Sequence, residues 1–284
     1  MLDMITDAKN AIEAYNSALS DVQANIANYR VIGYKGVDVS FQSLFSKIIS
    51  QGNAANSSNY GGTNPIQIGQ GMTIASSTVD FSQGSLSAGS NLSLGVSGAG
   101  LFVVSPDGGS TFLYSRAGDF QIDSSGNLLT ASGMQVYGFK NNDYGTLTPI
   151  TGLNSSSYPD KTKFSFTDDG KLIYFNDNTT FVRNPSKDID TGYHIGLTYF
   201  QNPSGLTLAQ GTTFAETSSS GSAQTAILPG GAAGTISPRY IEQSNVNYLT
   251  EGIEAQELNR ALSLNLNMIK MASDIIASFI SKIT

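Results

Sequence analysis

A chain of 284 residues with a formal net charge of −7 and only 13% charged residues, against about 25% in an average globular protein, has a surface dressed in Ser, Thr, Asn and Gly. With no run of Lys or Arg there is no basic stripe to displace phosphate counterions, which excludes nucleic acid as a partner. The absence of cysteine excludes disulfides, thiolate metal sites and thiol nucleophiles.

The first stretch, residues 2–28, contains neither Gly nor Pro. Ile5, Ile12, Leu19 and Ile26 interleave there with Ala8, Tyr15 and Val22, and this three-four spacing predicts a helix with one narrow apolar stripe, a coiled-coil seam. Asp3 and Asp7 stand where a cleavable signal peptide carries basic residues, so no such signal is expected. Residues 36–71 are polar and glycine-rich and read as a connector, with Gly61-Gly62-Thr63-Asn64-Pro65 as a turn; Phe41, Leu44, Phe45, Ile48 and Ile49 are expected to pack as one or two helical turns.

From 72 to 139 short alternating runs bounded by turn residues predict an antiparallel β domain, with a hairpin around Ser124-Ser125-Gly126-Asn127. Residues 140–191 read as an inserted β subdomain with a second hairpin around Asp168-Asp169-Gly170, and strand character resumes at Ile195, Leu197, Tyr199 and Phe200. The uncharged segment 217–234 reads as a linker or extended arm. Beyond Asn245 the helical period returns: Leu262, Ile269, Ile276 and Ile283 interleave with Ala272 and Phe279 as a second seam. No stretch approaches about eighteen uninterrupted apolar residues, so no transmembrane helix is expected. The plainest arrangement is that the two terminal helices meet each other, as a hairpin in a monomer or as the core of a fibre subunit.

No constellation carries catalysis. His194, the single histidine, has no second metal ligand beside it in the sequence and reads as a packed strand residue. The aspartates around Asp123 and Asp168 lack the spaced carboxylates of a calcium loop and are explained by turn chemistry. Gly95, Gly98 and Gly100 stand in the wrong order for a nucleotide loop and precede a strand. The Asn-x-Ser/Thr triplets at Asn56, Asn91, Asn154 and Asn178 are chance products of composition. No catalytic, cofactor-binding or metal site is expected.

Four blocks resemble the flagellar axial proteins that build the rod and hook of the bacterial flagellum. The first is Asn25-Ile26-Ala27-Asn28 with Gly33-Tyr34-Lys35, similar to the family's N-terminal signature, although Ala24, Val31 and Ile32 depart from it. The second runs from Phe81-Ser82-Gln83-Gly84 to Leu94-Gly95-Val96-Ser97-Gly98-Ala99-Gly100-Leu101-Phe102. The third is Tyr114-Ser115-Arg116-Ala117-Gly118, and the fourth is Ile241-Glu242-Gln243-Ser244-Asn245-Val246.

The resemblance implies an α+β fold: discontinuous terminal coiled-coil helices plus a β-rich middle domain with a smaller β insertion. The expected boundaries are 1–35 and 241–284 for the helical core, 36–71 for the connector, 72–139 and 192–240 for the middle domain, and 140–191 for the insertion. It further implies a structural, non-enzymatic subunit located in the flagellar hook or basal body. Its partners would be copies of itself, other axial proteins and the type III export apparatus, without membrane insertion. The stretch 61–69 looks like short hook proteins, so the hook, a flexible joint transmitting torque, is the first reading; a rod subunit acting as a drive shaft is the alternative. A secreted β adhesin or sugar-binding module is the contrasting class. Ile5, Ile12, Tyr15, Leu19, Val22, Ile26, Leu262, Ile269, Ala272, Ile276, Phe279 and Ile283 are the expected assembly seam. Gly33 is expected at positive φ, ending the first helix in a hinge, with Tyr34 packed against the helices and Lys35 facing a neighbouring subunit.

Overall fold

The computed structural model describes residues 2–52, 62–141, 143–175 and 188–283. Asn56, Gly61, Asn178 and the side chains of Phe45 and Ile283 lie outside the described residues. The chain divides into two compact units, one comprising Met1–Ala27, Val37–Thr78 and Asn247–Thr284, the other Asn28–Gly36 and Val79–Val246.

The helical unit holds α1 (Leu2–Asn28), a two-stranded ribbon of β1 (Val37–Ser50) and β2 (Ile66–Val79), and α2 (Tyr248–Ile283). Both helices occur where the three-four period predicted them. The Asn247 side chain starts α2 by accepting from Leu249 N at 3.0 Å, the usual means of satisfying a first-turn donor. The helices pack together through Ala18, Val22 and Leu258, flanked by Tyr15, Leu19, Ile26 and Ala255, with Val39 of β1 against the same cluster.

The most buried face of α1 is a run of small residues, Ala8, Ala11, Ala14 and Ala18, continued by Val22 and Asn25. The large residues expected in the seam, Ile5, Ile12, Tyr15, Leu19 and Ile26, flank it half-buried. On α2, Leu262 and Ala272 are buried, Ile269 and Ile276 half-buried, and Phe279 is exposed.

The connector reading of 36–71 is corrected. Most of it forms the ribbon, and Phe41, Leu44, Ile48 and Ile49 lie on a strand, not on a helical turn. The β-rich content Val37, Val39, Phe41, Ile48 and Ile49 suits an extended chain, and Phe41 packs edge-on against Tyr15 at 5.7 Å.

The β unit carries β3 (Leu86–Ala88), β4 (Leu94–Ser97), β5 (Leu101–Ser105), β6 (Leu113–Ser115), β7 (Gln121–Ile122), β8 (Leu128–Leu129), β9 (Gln135–Lys140) and β10 (Asp143–Pro149). It continues with β11 (Phe164–Phe166), β12 (Lys171–Tyr174), β13 (Ile189–Ile195), β14 (Leu197–Thr198), β15 (Thr207–Leu208), β16 (Thr213–Ala215), β17 (Thr235–Pro238) and β18 (Tyr240–Glu242). Twelve strands form one sheet whose main path is β11-β12-β13-β9-β5-β6-β16-β15, curled as a half-barrel. Two short pairs, β17 with β4 and β18 with β3, bring the end of the unit back to its beginning. Both predicted hairpins are present, β7 with β8 and β11 with β12. The core collects Leu94, Phe102, Phe120, Leu128, Ile150, Phe164, Leu172 and Ile195, with the Phe102 and Phe120 rings 5.0 Å apart.

Three further expectations change. The strands of 140–191 share the large sheet: β13 pairs with β9, and β9 with β5, so this region contributes to the same core rather than to a separate one. Segment 217–234 is not a free arm. Ile227 exchanges backbone hydrogen bonds with Leu197, Ala233 is fully buried, and Gly100 N donates to Ala233 O, because an uncharged backbone can be laid onto the sheet without desolvating charge. The stretch 241–246, expected with the C-terminal helix, belongs to the β unit, where β18 pairs with β3.

His194 sits on β13 opposite Lys171 and Phe139, only 8% exposed, with Nδ1 buried and without a partner among the described residues. Tyr144 meets its ring at 5.9 Å. Burial, then the nearby Lys171, hold its pKa below the ordinary value, opposed by Asp190 and Asp169. The unfolded chain therefore binds the proton more readily. The contribution of a neutral His194 is complete above about pH 6.5 and is lost as pH falls below it. A steeper fall in melting temperature between pH 7 and 5 is expected for the parent than for His194→Phe; equal slopes would remove the assignment.

Candidate functional site

The four motif blocks lie far apart in sequence and converge in the β unit on one buried ion cluster. Lys35, two residues past Gly33, donates from Nζ to Glu242 Oε1 at 2.7 Å and to Ser82 O at 2.6 Å. Arg116 donates from Nη1 to Glu242 Oε2 at 3.1 Å and to Val96 O at 3.4 Å, and from Nη2 to Gly98 O. Glu242 Oε1 also accepts from Gly84 N at 2.9 Å. The three side chains are 0%, 2% and 0% exposed for Lys35, Arg116 and Glu242. Burial pulls the pKa values of Lys35 and Arg116 below their ordinary values, and the Glu242 carboxylate opposes this in both.

Two cations thus share one carboxylate, and Arg116 Nε is buried without a partner among the described residues. Every contributing group is enclosed, so the cluster cannot work on a substrate. What it can do is hold the segments at 33–36, 82–84, 96–98, 116 and 242 in one arrangement.

The backbone around the cluster is equally committed. Gly33 N donates to Glu242 O at 2.8 Å, and Gly33 itself has φ +68°, as the sequence required; a Cβ there would overlap the backbone of Ala117. A Cβ at Gly84 would overlap Gln243 O. Asn245 clamps the same region: its Oδ1 accepts from Gly36 N at 2.8 Å, while Nδ2 reaches Asp80 O at 2.8 Å and Ser82 Oγ at 3.0 Å. Ser244 Oγ accepts from Val246 N at 3.2 Å, and Val246 is half-buried.

Lys35 is therefore corrected from a group facing a neighbouring subunit to an internal ion-pair partner, because its ammonium finds a carboxylate of its own chain. Tyr34 is buried.

In the helical unit the motif residue Asn25 is buried and reads both backbone groups of Val37: Oδ1 accepts from Val37 N and Nδ2 donates to Val37 O, each at 3.0 Å. Nδ2 also reaches Glu251 Oε2 of α2 at 3.3 Å. Desolvation raises the pKa of Glu251, and the Asn25 hydrogen bond opposes it. Ile26 is half-buried, Ala27 exposed and Asn28 half-buried where α1 ends, its carbonyl accepting from Val31 N at 2.9 Å.

Sequence reasoning quoted Arg116 and Glu242 within their motifs but did not single them out. In a chain with 13% charged residues, a Lys, an Arg and a Glu each embedded in a glycine-rich or strand-like block is the signal that identifies them.

Comparison with known proteins gives the same assignment. Residues 95–174 match the family model described as the flagellar hook protein FlgE/F/G D1 domain. The flagellar basal-body rod protein FlgG of Bacillus subtilis is 30% identical over 99% of this chain and 99% of its own length. The rod protein FlgG of Buchnera aphidicola subsp. Baizongia pistaciae is 26% identical over 97% of this chain and 98% of its own. The flagellar hook protein FlgE of Helicobacter mustelae is 33% identical, but over 50% of this chain and 32% of its own length. The chain belongs to the flagellar hook and basal-body rod protein family.

Proposed function

We propose that this protein is a subunit of the flagellar rod, polymerising with copies of itself into a straight shaft. As a family member it is a structural, non-enzymatic axial subunit of the flagellar basal body or hook. Family membership also leaves the adhesin and sugar-binding readings without support. The observation that carries the choice of rod over hook is coverage: rod relatives align end to end, whereas the hook relative shares half the chain. The stretch 61–69 had favoured the hook. Of it, Ile66 to Gly69 open β2 as one side of the ribbon.

Support for polymerisation comes from α2. Leu264, Met268, Met271, Ile275 and Phe279 are 65%, 41%, 58%, 54% and 61% exposed and follow one another at helical spacing, a second apolar stripe that monomeric soluble proteins rarely leave in water. Delivery through the type III export apparatus completes the proposal. No helix among the described residues is long and apolar enough to cross a membrane.

Electron microscopy of isolated hook–basal bodies carrying an epitope at the exposed residues 143–146 of β10 tests it. Antibody label on the straight segment below the hook is the expected result; label along the curved hook would overturn it.

A further inference from the structure

The ion cluster has an order built into it. Its carboxylate comes from the last strand of the β unit, while its cations come much earlier in the chain. Glu242 is 207 residues from Lys35, 126 from Arg116 and 158 from Gly84, and follows every strand of the large sheet.

We infer that Glu242 gates the closing of the β unit: the region around Lys35 and Arg116 packs only when the segment carrying β18 is laid in. Without Glu242, the hydrogen-bond acceptors left to the cations among the described residues are carbonyls, Ser82 O for Lys35 and Val96 O and Gly98 O for Arg116. Carbonyl dipoles supply no net charge, and enclosing two neighbouring cations with only the weaker pull of Asp80 on Lys35 is strongly unfavourable. The same segment brings the acceptor for Gly33 N and the Asn245 side chain that takes Gly36 N and holds Asp80, so charge and backbone requirements fall due together. A chain that appears from its N-terminus holds this unit open until it is nearly whole.

Pulsed hydrogen exchange during refolding of the full chain tests it without assembly or export. In the parent, amides of β4, β5 and β6 are expected to gain protection in the same kinetic phase as 240–243. Glu242→Gln keeps the side-chain shape and removes the charge, and is expected to lower protection of those strands about a hundredfold or more. The triple replacement K35M/R116M/E242M, apolar and of similar volume, is expected to restore protection to within about tenfold and to let β4, β5 and β6 become protected ahead of 240–243. The inference is overturned if the parent sheet is protected before 240–243, if Glu242→Gln is as protected as the parent, or if the triple variant is as unprotected as Glu242→Gln.

Discussion

Replacing Gly33 by valine is expected to unfold much of the β unit. Two costs add at this position. A branched residue at φ +68° carries strain of about 1–3 kcal/mol. Its Cβ also overlaps the backbone of Ala117, and forcing extra atoms into a packed site costs about 1–3 kcal/mol more. The shift is unwelcome where it occurs, since Ala117 follows Arg116 of the ion cluster and Gly33 N is tied to Glu242 O. A loss of roughly 4 kcal/mol is a large share of the 5–15 kcal/mol that holds an ordinary domain together. Thermal unfolding followed by circular dichroism measures it, with Gly33→Ala as the intermediate case because it keeps the overlap and loses the branch. A valine variant that melts with the parent would show that the turn relaxes freely and that the glycine is not required.

Elements governed by local pattern were legible before any coordinates. Both long helices follow from the three-four period and from long runs without Gly or Pro, 2–28 and 253–283, and both tight hairpins from polar, glycine-containing loops between apolar runs. The ribbon of β1 and β2 was not, because Gly69 and Gly71 break the look of a strand and the two halves pair across the intervening residues 51–65. The incorporation of 140–191 into the large sheet depends on non-local pairing of β13 with β9, which periodicity cannot express. Within α1 the heptad stripe holds Ala8 and Val22, which are buried, but Ala11, Ala14 and Ala18 outside it are buried as well, while Ile5, Ile12, Tyr15, Leu19 and Ile26 stay half-buried. For the site, the motif blocks contain Gly33, Lys35 and Asn245, but the local pattern sent Lys35 outward, whereas it pairs inside its own chain. Their partners were hidden by sequence distance: nothing local says that Lys35 should meet a carboxylate 207 residues away.

The two stripes of the helical unit should respond differently to one kind of substitution. Val22 is 3% exposed and packs with Ala18 and Leu258 where α1 meets α2, so Val22→Asp places a carboxylate in an apolar contact inside one subunit. The cost is several kcal/mol unless the group protonates or escapes, and the isolated subunit is expected to lose helical signal. Leu264 is 65% exposed on the other stripe of α2, and Leu264→Asp is expected to change the stability of the isolated subunit by no more than about 0.5 kcal/mol, like other surface changes. In the assembled state the prediction reverses. If the stripe through Leu264, Met268 and Met271 is covered by the next copy, a carboxylate there is buried in every interface of the polymer, and a folded subunit that no longer assembles is the expected result. Circular dichroism of the monomer and sedimentation of assembled material separate the two effects. Normal polymers from Leu264→Asp would show that the stripe stays in water, and an undisturbed Val22→Asp monomer would dissolve the contact between the helices.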